Sequence, residues 1–308
     1  QHELTDYSTI VTSGNEPLWY VPEDHQTVVA YTHSPPRWQY DLFHDHSGLL
    51  HVVYNYATRV LYQHNITRPD LWVANSDRVA RRIRQYWNIP KRQIRVVYPP
   101  VPVTNYGLTD ATTKDFYLYL GRLARHKRVD GLIETFNNRP EQLKIAGKGP
   151  DKSRLEAMAT DNIEFLGYVS EERKYELMAA AKCHCYPALN EDFGMVPIES
   201  MAAGTPVIGI NEGFTQYQIM NGKNGYTFER GHLNRAIEYF ETHGVEWSSD
   251  RIAQFADRFD VQQFEHGIQQ AVEVAQERTD INPDWYELVD QPDQRIPAVA
   301  DGGDADEK

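Results

Sequence analysis

Cysteine is nearly absent from this chain, which has two cysteines among 308 residues. Both stand in a short apolar stretch, as Cys183 and Cys185 on either side of His184. A zinc site needs a further pair of ligands at a matching spacing, and the sequence offers none. Because side chains alternate along a strand, both thiols fall on one face. We interpret them as small core residues in a reducing compartment.

Long apolar runs and basic residues are also scarce. No apolar run reaches about 18 residues and no charged-then-apolar segment opens the chain, so we expect neither a membrane-spanning helix nor a secretory signal. This predicts a soluble cytoplasmic protein. Lys and Arg number 31 against 44 Asp and Glu, which gives a net charge of −13. That acidity argues against a general nucleic-acid partner.

The charge is uneven along the chain. Residues 1–105 hold 10 basic and 9 acidic residues, whereas residues 280–308 hold 2 basic and 9 acidic ones. The composition of this acidic tail cannot build a core, so we expect its end to be disordered. Residues 78–95 hold seven cations and no acid. This stretch predicts either a core-packed helix with a solvated basic face or a docking patch for an anionic membrane surface, peripheral at the inner face.

Short runs rich in β-branched and aromatic residues alternate with amphipathic helical patterns. The runs are "STIVTS", "TVVAYTH", "DLWVANS", "IRVVYPP", "FYLYLG", "LKIAGKG", "IEFLGYV", "CHCYPAL", "TPVIGI" and "GYTFE". Helices are predicted after Ser76 and Ser170, each of which suits an N-cap. This alternation predicts an α/β fold with parallel sheets covered by helices.

The segment "YPPVPVTNYGLTDATTKD" interrupts both periodicities with prolines and threonines. We therefore place a domain boundary near residues 103–114. The division gives an N-terminal domain over 1–105, a C-terminal domain over 106–279 and the acidic tail over 280–308. Two Rossmann-like domains of this kind face a cleft at the carboxyl ends of their strands, where ligands bind.

A cluster of cations follows the strand "FYLYL", where Arg122, Arg125, Lys127 and Arg128 stand in one loop. Fixed positive charge at a strand's carboxyl end neutralises phosphate oxygens, so the cluster predicts a diphosphate site. The alternative is a solvated basic loop. Gly147 and Lys148 follow the next strand, but a G-x-G turn is as often a tight connection as a phosphate cradle.

Two carboxylates, Glu191 and Glu199, flank the loop-to-helix stretch "DFGMVPI". A helix beginning near residue 196 would point the amides around Gly194 and Met195 at an anion. Glu191 precedes that helix and Glu199 lies about one turn into it, so the two acids reach different parts of one extended ligand. Carboxylates accept paired hydrogen bonds from hydroxyls, which favours a sugar. The alternative is one helix cap and one exposed acid.

Several blocks together resemble one enzyme family. The stretch "EDFGMVPIESMAAGTPVI" is similar to the E-x7-E signature of the retaining GT-B glycosyltransferases of family 4. The stretches "LGRLARHKRVDGL", "IAGKGP", "IEFLGYVS", "VANSDRVARRI" and "NGKNGYTFE" match further blocks of that family. The "YTHSPPRWQYD" block is similar to the first-domain loop of the family's mannosyltransferases. The resemblance covers about residues 6–275 and implies a GT-B fold, with two Rossmann-like domains facing a cleft.

The resemblance also implies a role for individual residues. It assigns the donor diphosphate to Arg122 and Lys127 with the backbone of Phe193, Gly194 and Met195, and the transferred sugar to Glu191 and His33, the candidate catalytic residues. The candidate nucleoside-binding residues are Glu199, Gly147, Lys148, Tyr168 and Val169. Glu199 would hold the ribose hydroxyls. Transfer would occur on one face of the sugar, with the departing diphosphate assisting deprotonation of a glycan or lipid-linked acceptor.

Donor and cofactor expectations follow from the same blocks. Pro197 inside "EDFGMVPIE" favours GDP-mannose over UDP-sugars, because many UDP-sugar users carry Leu where Val-Pro stands here. No metal is expected, since the only D-x-D, Asp304 to Asp306, stands in the acidic tail and not at a strand end. Fixed cations would take the metal's electrostatic role.

The sequence departs from the family at its start, which matches a later strand of the first domain and lacks the glycine-rich G-G-x-E loop. The first domain is therefore expected to be abbreviated, and acceptor binding is the function most affected. Two alternatives stay open. One is a sugar-nucleotide epimerase on the same fold, and the other is a catalytically silent subunit that binds nucleotide.

Overall fold

The computed structural model describes residues 4–14, 20–37, 40, 49–66, 68–107 and 115–277. These residues form two compact units. The first contains the described residues up to Pro99 together with those from Gln262 onward, and the second spans Pro100–Val261. The acidic tail lies outside the described residues. Each unit contains one parallel sheet, and all ten predicted strands are present, which confirms the α/β class.

The first unit has a four-stranded parallel sheet in the order β1-β2-β3-β4. Its strands are β1 (Thr9–Ser13), β2 (Thr27–Thr32), β3 (Leu71–Ala74) and β4 (Ile94–Val96), and its helices are α1 (Leu49–Asn65), α2 (Asp77–Trp87) and the larger part of α10 (Val261–Glu277). Ser76 caps α2, as predicted, by accepting a hydrogen bond from the Val79 amide. Helix α2 buries Ile83 and Trp87 against the sheet, where Trp72 packs 4.8 Å from Trp87 between ring centroids.

Helix α10 covers the opposite face of this first sheet. Phe264 lies edge-on to Tyr31, with 5.4 Å between the ring centroids, and Ala271 packs on Val29 and Val73. The observed units differ from the domains 1–105 and 106–279 expected from the sequence. Helix α10 packs on the first unit although it lies at the far end of the described chain. A continuous split of the sequence cannot represent such a return, and the boundary itself falls at Pro99 and Pro100.

The second unit has a six-stranded parallel sheet in the order β10-β9-β8-β5-β6-β7. Its strands are β5 (Phe116–Leu120), β6 (Gln142–Ala146), β7 (Ile163–Gly167), β8 (Cys183–Tyr186), β9 (Val207–Ile210) and β10 (Gly225–Phe228). Its helices are α3 (Val129–Phe136), α4 (Lys152–Glu156), α5 (Glu171–Ala180), α6 (Met195–Ala202), α7 (Thr215–Gln218), α8 (Leu233–His243) and α9 (Ser249–Ala256).

The core of the second unit confirms two predictions. Cys183 and Cys185 are fully buried in the cluster that β5, β8, α3 and α8 share. Ser170 caps α5 by accepting a hydrogen bond from the Arg173 amide. Both features follow from the sequence because the alternation of a buried strand and the chemistry of an N-cap are local rules.

The strand order reverses between β5 and β8. The chain runs outward from β5 through β6 to β7, then returns to place β8 on the other side of β5. In open parallel sheets, ligands bind at the carboxyl ends of the strands where the order reverses. The loops that follow β5 and β8 therefore mark the place in this unit for a site.

Candidate functional site

The two loops at this reversal are joined by an ion pair. Lys127, at the end of a short 3-10 turn after β5, lies 2.7 Å from the Glu191 carboxylate in the loop after β8. Both side chains are partly buried. Arg122 is exposed, and its guanidinium pairs with no other residue in the described ranges. Lys127, expected at the diphosphate, and Glu191, expected at the transferred sugar, are thus in direct contact.

A glycine loop packs directly against the loop that follows β5. The Gly121 amide donates to the Ala146 carbonyl, and the Gly147 amide donates to the Gly167 carbonyl at 2.7 Å. A Cβ on Gly147 would stand 1.9 Å from the Gly121 oxygen, at a φ of +146°. Only glycine satisfies that position. Gly147 therefore brings the ends of β5, β6 and β7 together.

The loop after β8 is held in place by contacts with Gln218 and Phe214. Gln218 on α7 donates to the carbonyls of Phe193 and Gly194 at 3.0 and 3.1 Å. The Phe193 ring is buried and stacks on Phe214 with 5.4 Å between centroids. Phe193 can therefore offer a ligand only its backbone. Met195, by contrast, is exposed at the start of α6.

The beginning of α6 leaves backbone donors for an anion. Gly194 takes a φ of +79° as the residue before the helix. The amides of Gly194 and Met195 donate no hydrogen bond to any described residue. Unpaired amides at a helix N-terminus, with the helix dipole behind them, favour a negatively charged ligand.

Glu199 lies one turn inside α6 and is buried, with 8% of its surface exposed. Its Oε1 atom accepts a hydrogen bond from Lys174 Nζ on α5 at 3.3 Å. Tyr106 is buried beside the pair, and burial followed by the charge of Glu199 raises the pKa of its hydroxyl. That hydroxyl makes no well-directed hydrogen bond within the part of the chain that the structure describes. Glu199 is therefore not the exposed acid of the alternative interpretation.

Lys148 and Tyr168 meet at the ends of β6 and β7. The Lys148 ammonium stands 4.7 Å from the centroid of the Tyr168 ring, which is 69% exposed. Val169, the next residue, is half-buried before the Ser170 cap. An exposed aromatic ring beside a cation gives a surface on which a flat base can stack.

His33 belongs to the first unit. It follows β2, and its Nε2 atom lies 3.0 Å from the Ser13 hydroxyl at the end of β1. Tyr31 meets it edge-on with ring centroids 5.2 Å apart. His33 is exposed at the carboxyl edge of its own sheet, which is the edge where that fold places ligand residues.

Sequence patterns missed three residues around the two carboxylates: Lys174, Tyr106 and Tyr186. Tyr186 ends β8, and burial, followed by the charge of Glu191, raises the pKa of its hydroxyl. The sequence offered one indication of Lys174, which is its position in the first turn of the helix predicted after Ser170. Its pairing with Glu199 depends on the packing of α5 against α6, which no local pattern reports.

Two features are absent from the ranges that the structure describes. None of the helices there is long and apolar enough to cross a bilayer. No group of three or more His, Cys, Asp or Glu side chains in those ranges is arranged to hold a metal ion.

Comparison with known proteins identifies the family. The model of "Glycosyl transferases group 1" matches residues 108–280, more than half of the chain. This chain belongs to the group 1 glycosyltransferases. The sequence blocks and the strand-end loops described above lie mostly within that match.

Two relatives illustrate the range of this glycosyltransferase family. The chain is 28% identical over 200 residues to the lipopolysaccharide core biosynthesis glycosyltransferase LpsE of Rhizobium meliloti, covering 60% of this chain and 56% of that protein. It is 30% identical over 146 residues to a GDP-mannose-dependent alpha-(1-6)-phosphatidylinositol dimannoside mannosyltransferase of Mycobacterium tuberculosis, covering 45% of this chain and 32% of that protein. The matches thus span about half or less of these relatives' lengths.

A solved glycosyltransferase shares the fold. The apo form of the lipopolysaccharide outer core galactosyltransferase WaaB aligns with a TM-score of 0.69 and 20% identity, covering 88% of this chain and 77% of that one. At this identity the likeness shows the fold alone, which is the GT-B arrangement of two Rossmann-like domains. This confirms the predicted α/β fold with two Rossmann-like domains, while the abbreviation of the first domain stays a prediction.

Proposed function

We propose that this glycosyltransferase transfers a hexose from a nucleotide diphosphate sugar to a glycan or lipid-linked acceptor. Mannose is the favoured hexose, and the transfer retains the configuration at its C1 atom. The observation that carries the proposal is the Lys127–Glu191 contact at the reversal of strand order. It joins a cation suited to a diphosphate with a carboxylate suited to sugar hydroxyls, next to the unpaired amides of Gly194 and Met195.

Each part of the donor has residues suited to it. Arg122, Lys127 and the amides at the start of α6 would hold the diphosphate, because charged and oriented N–H donors favour phosphate oxygens. Glu199 would accept hydrogen bonds from the ribose hydroxyls. The base would lie at Tyr168 and Val169, with Gly147 permitting close backbone approach and Lys148 covering the Tyr168 ring.

The chemistry proposed needs no metal. The bond between the sugar C1 and the phosphate oxygen breaks as the acceptor oxygen bonds to C1 on the same face, and the departing diphosphate takes the acceptor's proton. Arg122 and Lys127 would stabilise the charge that develops on the diphosphate. Glu191 and His33 would bind the transferred sugar.

GDP-mannose is the favoured donor. The Val-Pro pair before Ile198 in the E-x7-E stretch and the block around His33 support this choice. The relatives named above include one GDP-mannose-dependent enzyme, while the structural neighbour WaaB is a galactosyltransferase. A UDP-sugar is therefore the alternative that the experiments below include.

Peripheral attachment to an anionic cytoplasmic membrane surface would suit a lipid-linked acceptor. Of the seven cations in residues 78–95, Arg82 and Arg95 are buried, so they cannot contribute to such a surface. The exposed ones are Arg81, Arg84, Lys91 and Arg92. The proposed patch is accordingly smaller than the sequence alone indicates.

The experiment for the nucleoside site replaces Glu199. We expect Glu199→Ala to weaken nucleotide-sugar binding by about 1–3 kcal/mol, because two hydroxyls lose a buried acceptor. Isothermal titration with GDP-mannose and UDP-glucose measures this loss. Glu164→Ala, at a half-exposed carboxylate on β7 paired with Lys144, is the matched control and should leave affinity unchanged. Unchanged donor affinity in Glu199→Ala would remove its ribose role.

The second experiment separates turnover from binding. Glu191→Gln and His33→Ala should lower turnover more than donor affinity, because they contact the transferred sugar and not the nucleoside. His25→Ala, an exposed histidine of the same unit that contacts the Thr5 carbonyl, is the control for His33. Near-normal rates in folded Glu191→Gln and His33→Ala proteins would show that the reacting sugar lies elsewhere.

A further inference from the structure

Lys174 is held between two carboxylates on the α5–α6 side of the second unit. Its ammonium lies 2.7 Å from Glu171, one turn of helix away, and 3.3 Å from Glu199 on α6. The Lys174 and Glu199 side chains are 12% and 11% exposed, whereas Glu171 is 64% exposed. The pair with Glu199 is therefore the buried one, and Glu171 secures the lysine from the solvent side.

Lys174 keeps its charge in this position. Burial by itself lowers the pKa of Lys174, but the hydrogen bond to Glu171 and the charge of Glu199 outweigh it, so the pKa is raised. The rings of Tyr106 and Tyr175 lie 5.7 and 5.3 Å from the ammonium and add cation–π attraction. The Lys174 cation thus lies beside the buried Glu199 carboxylate and offsets the cost of removing that carboxylate from water.

The geometry leaves Glu199 able to bind something else. Lys174 approaches only Oε1, and a carboxylate has about four acceptor sites. A carboxylate tied at one oxygen keeps its orientation and still has acceptor sites for a ligand.

We propose that Lys174 is a positioning residue, which fixes the Glu199 carboxylate so that it accepts hydrogen bonds from both ribose hydroxyls of the donor. This inference rests on the proposed function. It gives α5 a part in selecting a ribonucleotide, although Lys174 itself does not touch the reacting atoms. A purely structural ion pair would instead stabilise the fold and affect every ligand equally.

The test compares ligands that differ only in the hydroxyls. Isothermal titration measures GDP, UDP and their 2′,3′-dideoxy analogues against wild type, Lys174→Met and Lys174→Arg. We expect wild type to prefer the better-bound ribonucleotide over its dideoxy analogue by about tenfold or more. Lys174→Met should reduce that preference below about threefold by weakening the ribonucleotide, whereas Lys174→Arg should keep most of it.

The control lies on the same helix. Arg173→Met removes an exposed cation that pairs with Glu176 on α5, away from Glu199. It should bind all four ligands as wild type does. Thermal denaturation establishes that each variant is folded, and Lys174→Gln, which keeps a hydrogen-bond donor but loses the charge, replaces Lys174→Met if that variant does not fold.

The outcomes distinguish the two claims. A folded Lys174→Met or Lys174→Gln protein that weakens ribo- and dideoxynucleotides equally would overturn the positioning role and leave the proposed function standing. Wild type that binds neither GDP nor UDP would overturn the proposed function and this inference with it.

Discussion

The Lys127 ammonium and the Glu191 carboxylate neutralise each other across two loops, each about one-fifth exposed. A pair in this setting adds little to stability, because solvent screens much of the attraction. In the proposed function the two residues change partners when the donor binds. Lys127 would pair with the diphosphate, and Glu191 would accept hydrogen bonds from the sugar hydroxyls. The two residues thus need no large movement to change partners.

His184 gives a prediction at the scale of one residue. Its ring is fully buried on β8 with both nitrogens unpartnered within the described ranges, and burial lowers its pKa to about 3. In the unfolded chain the same ring takes up a proton near pH 6.5. Between these values the unfolded state binds more protons, so stability must fall as the pH falls.

Chemical denaturation across the pH range measures this effect. Below pH 6.5, His184 should cost the wild type up to about 1.4 kcal/mol of unfolding free energy per pH unit, with no contribution above it. His184→Leu should show a correspondingly shallower decline, while His243→Leu, at an exposed ring, should follow the wild type. Parallel declines in wild type and His184→Leu would show that the His184 ring is not held neutral.

Among the helices and strands, the features that depend on neighbouring residues in the sequence were predicted correctly. The strands and the caps at Ser76 and Ser170 follow from alternation and hydrogen-bond chemistry near each residue. The place of α10 does not, because its contacts with Tyr31 and Val97 join residues far apart in the chain. The ion pair of Lys174 with Glu199 was missed for the same reason: it joins two helices separated by strand β8.

Two glycines of the second unit predict opposite effects of one substitution. Gly147→Ala puts a Cβ 1.9 Å from the Gly121 oxygen at an unfavourable φ, so the loops that shape the site must separate. We expect a loss of more than about 4 kcal/mol or failure to fold. Gly131→Ala, at the third residue of α3 with nothing within 4 Å of the new Cβ, should gain up to about 1 kcal/mol. Denaturation curves of both proteins decide this, and a stable Gly147→Ala protein would refute the close approach.

At the scale of the whole molecule, the uneven charge leads to a binding prediction. Four exposed cations in residues 78–95 belong to a chain of net charge −13. Each is worth about 1 kcal/mol near an anionic surface, and salt screens that attraction. We expect co-sedimentation with anionic vesicles at low salt, its loss at high salt, and none with neutral vesicles.

A charge-reversed variant makes the vesicle experiment specific. Arg84→Glu with Arg92→Glu should abolish co-sedimentation, whereas reversal of two cations in the second unit, Lys152→Glu and Arg173→Glu, should not. Equal binding to anionic and neutral vesicles, or none to either at low salt, would leave residues 78–95 as a core-packed helix with a solvated basic face.

In the proposed function the protein binds a nucleotide sugar and transfers its hexose. The most direct measurement incubates the protein with a panel of nucleotide sugars and records the thermal shift together with the fate of each donor. We expect GDP-mannose to raise the melting temperature most and to be slowly hydrolysed to GDP and mannose in the absence of acceptor. Conversion of the donor to an isomer would instead identify an epimerase. Binding without any turnover, even with acceptors present, would identify a silent subunit. No thermal shift with any nucleotide sugar would contradict nucleotide-sugar binding altogether.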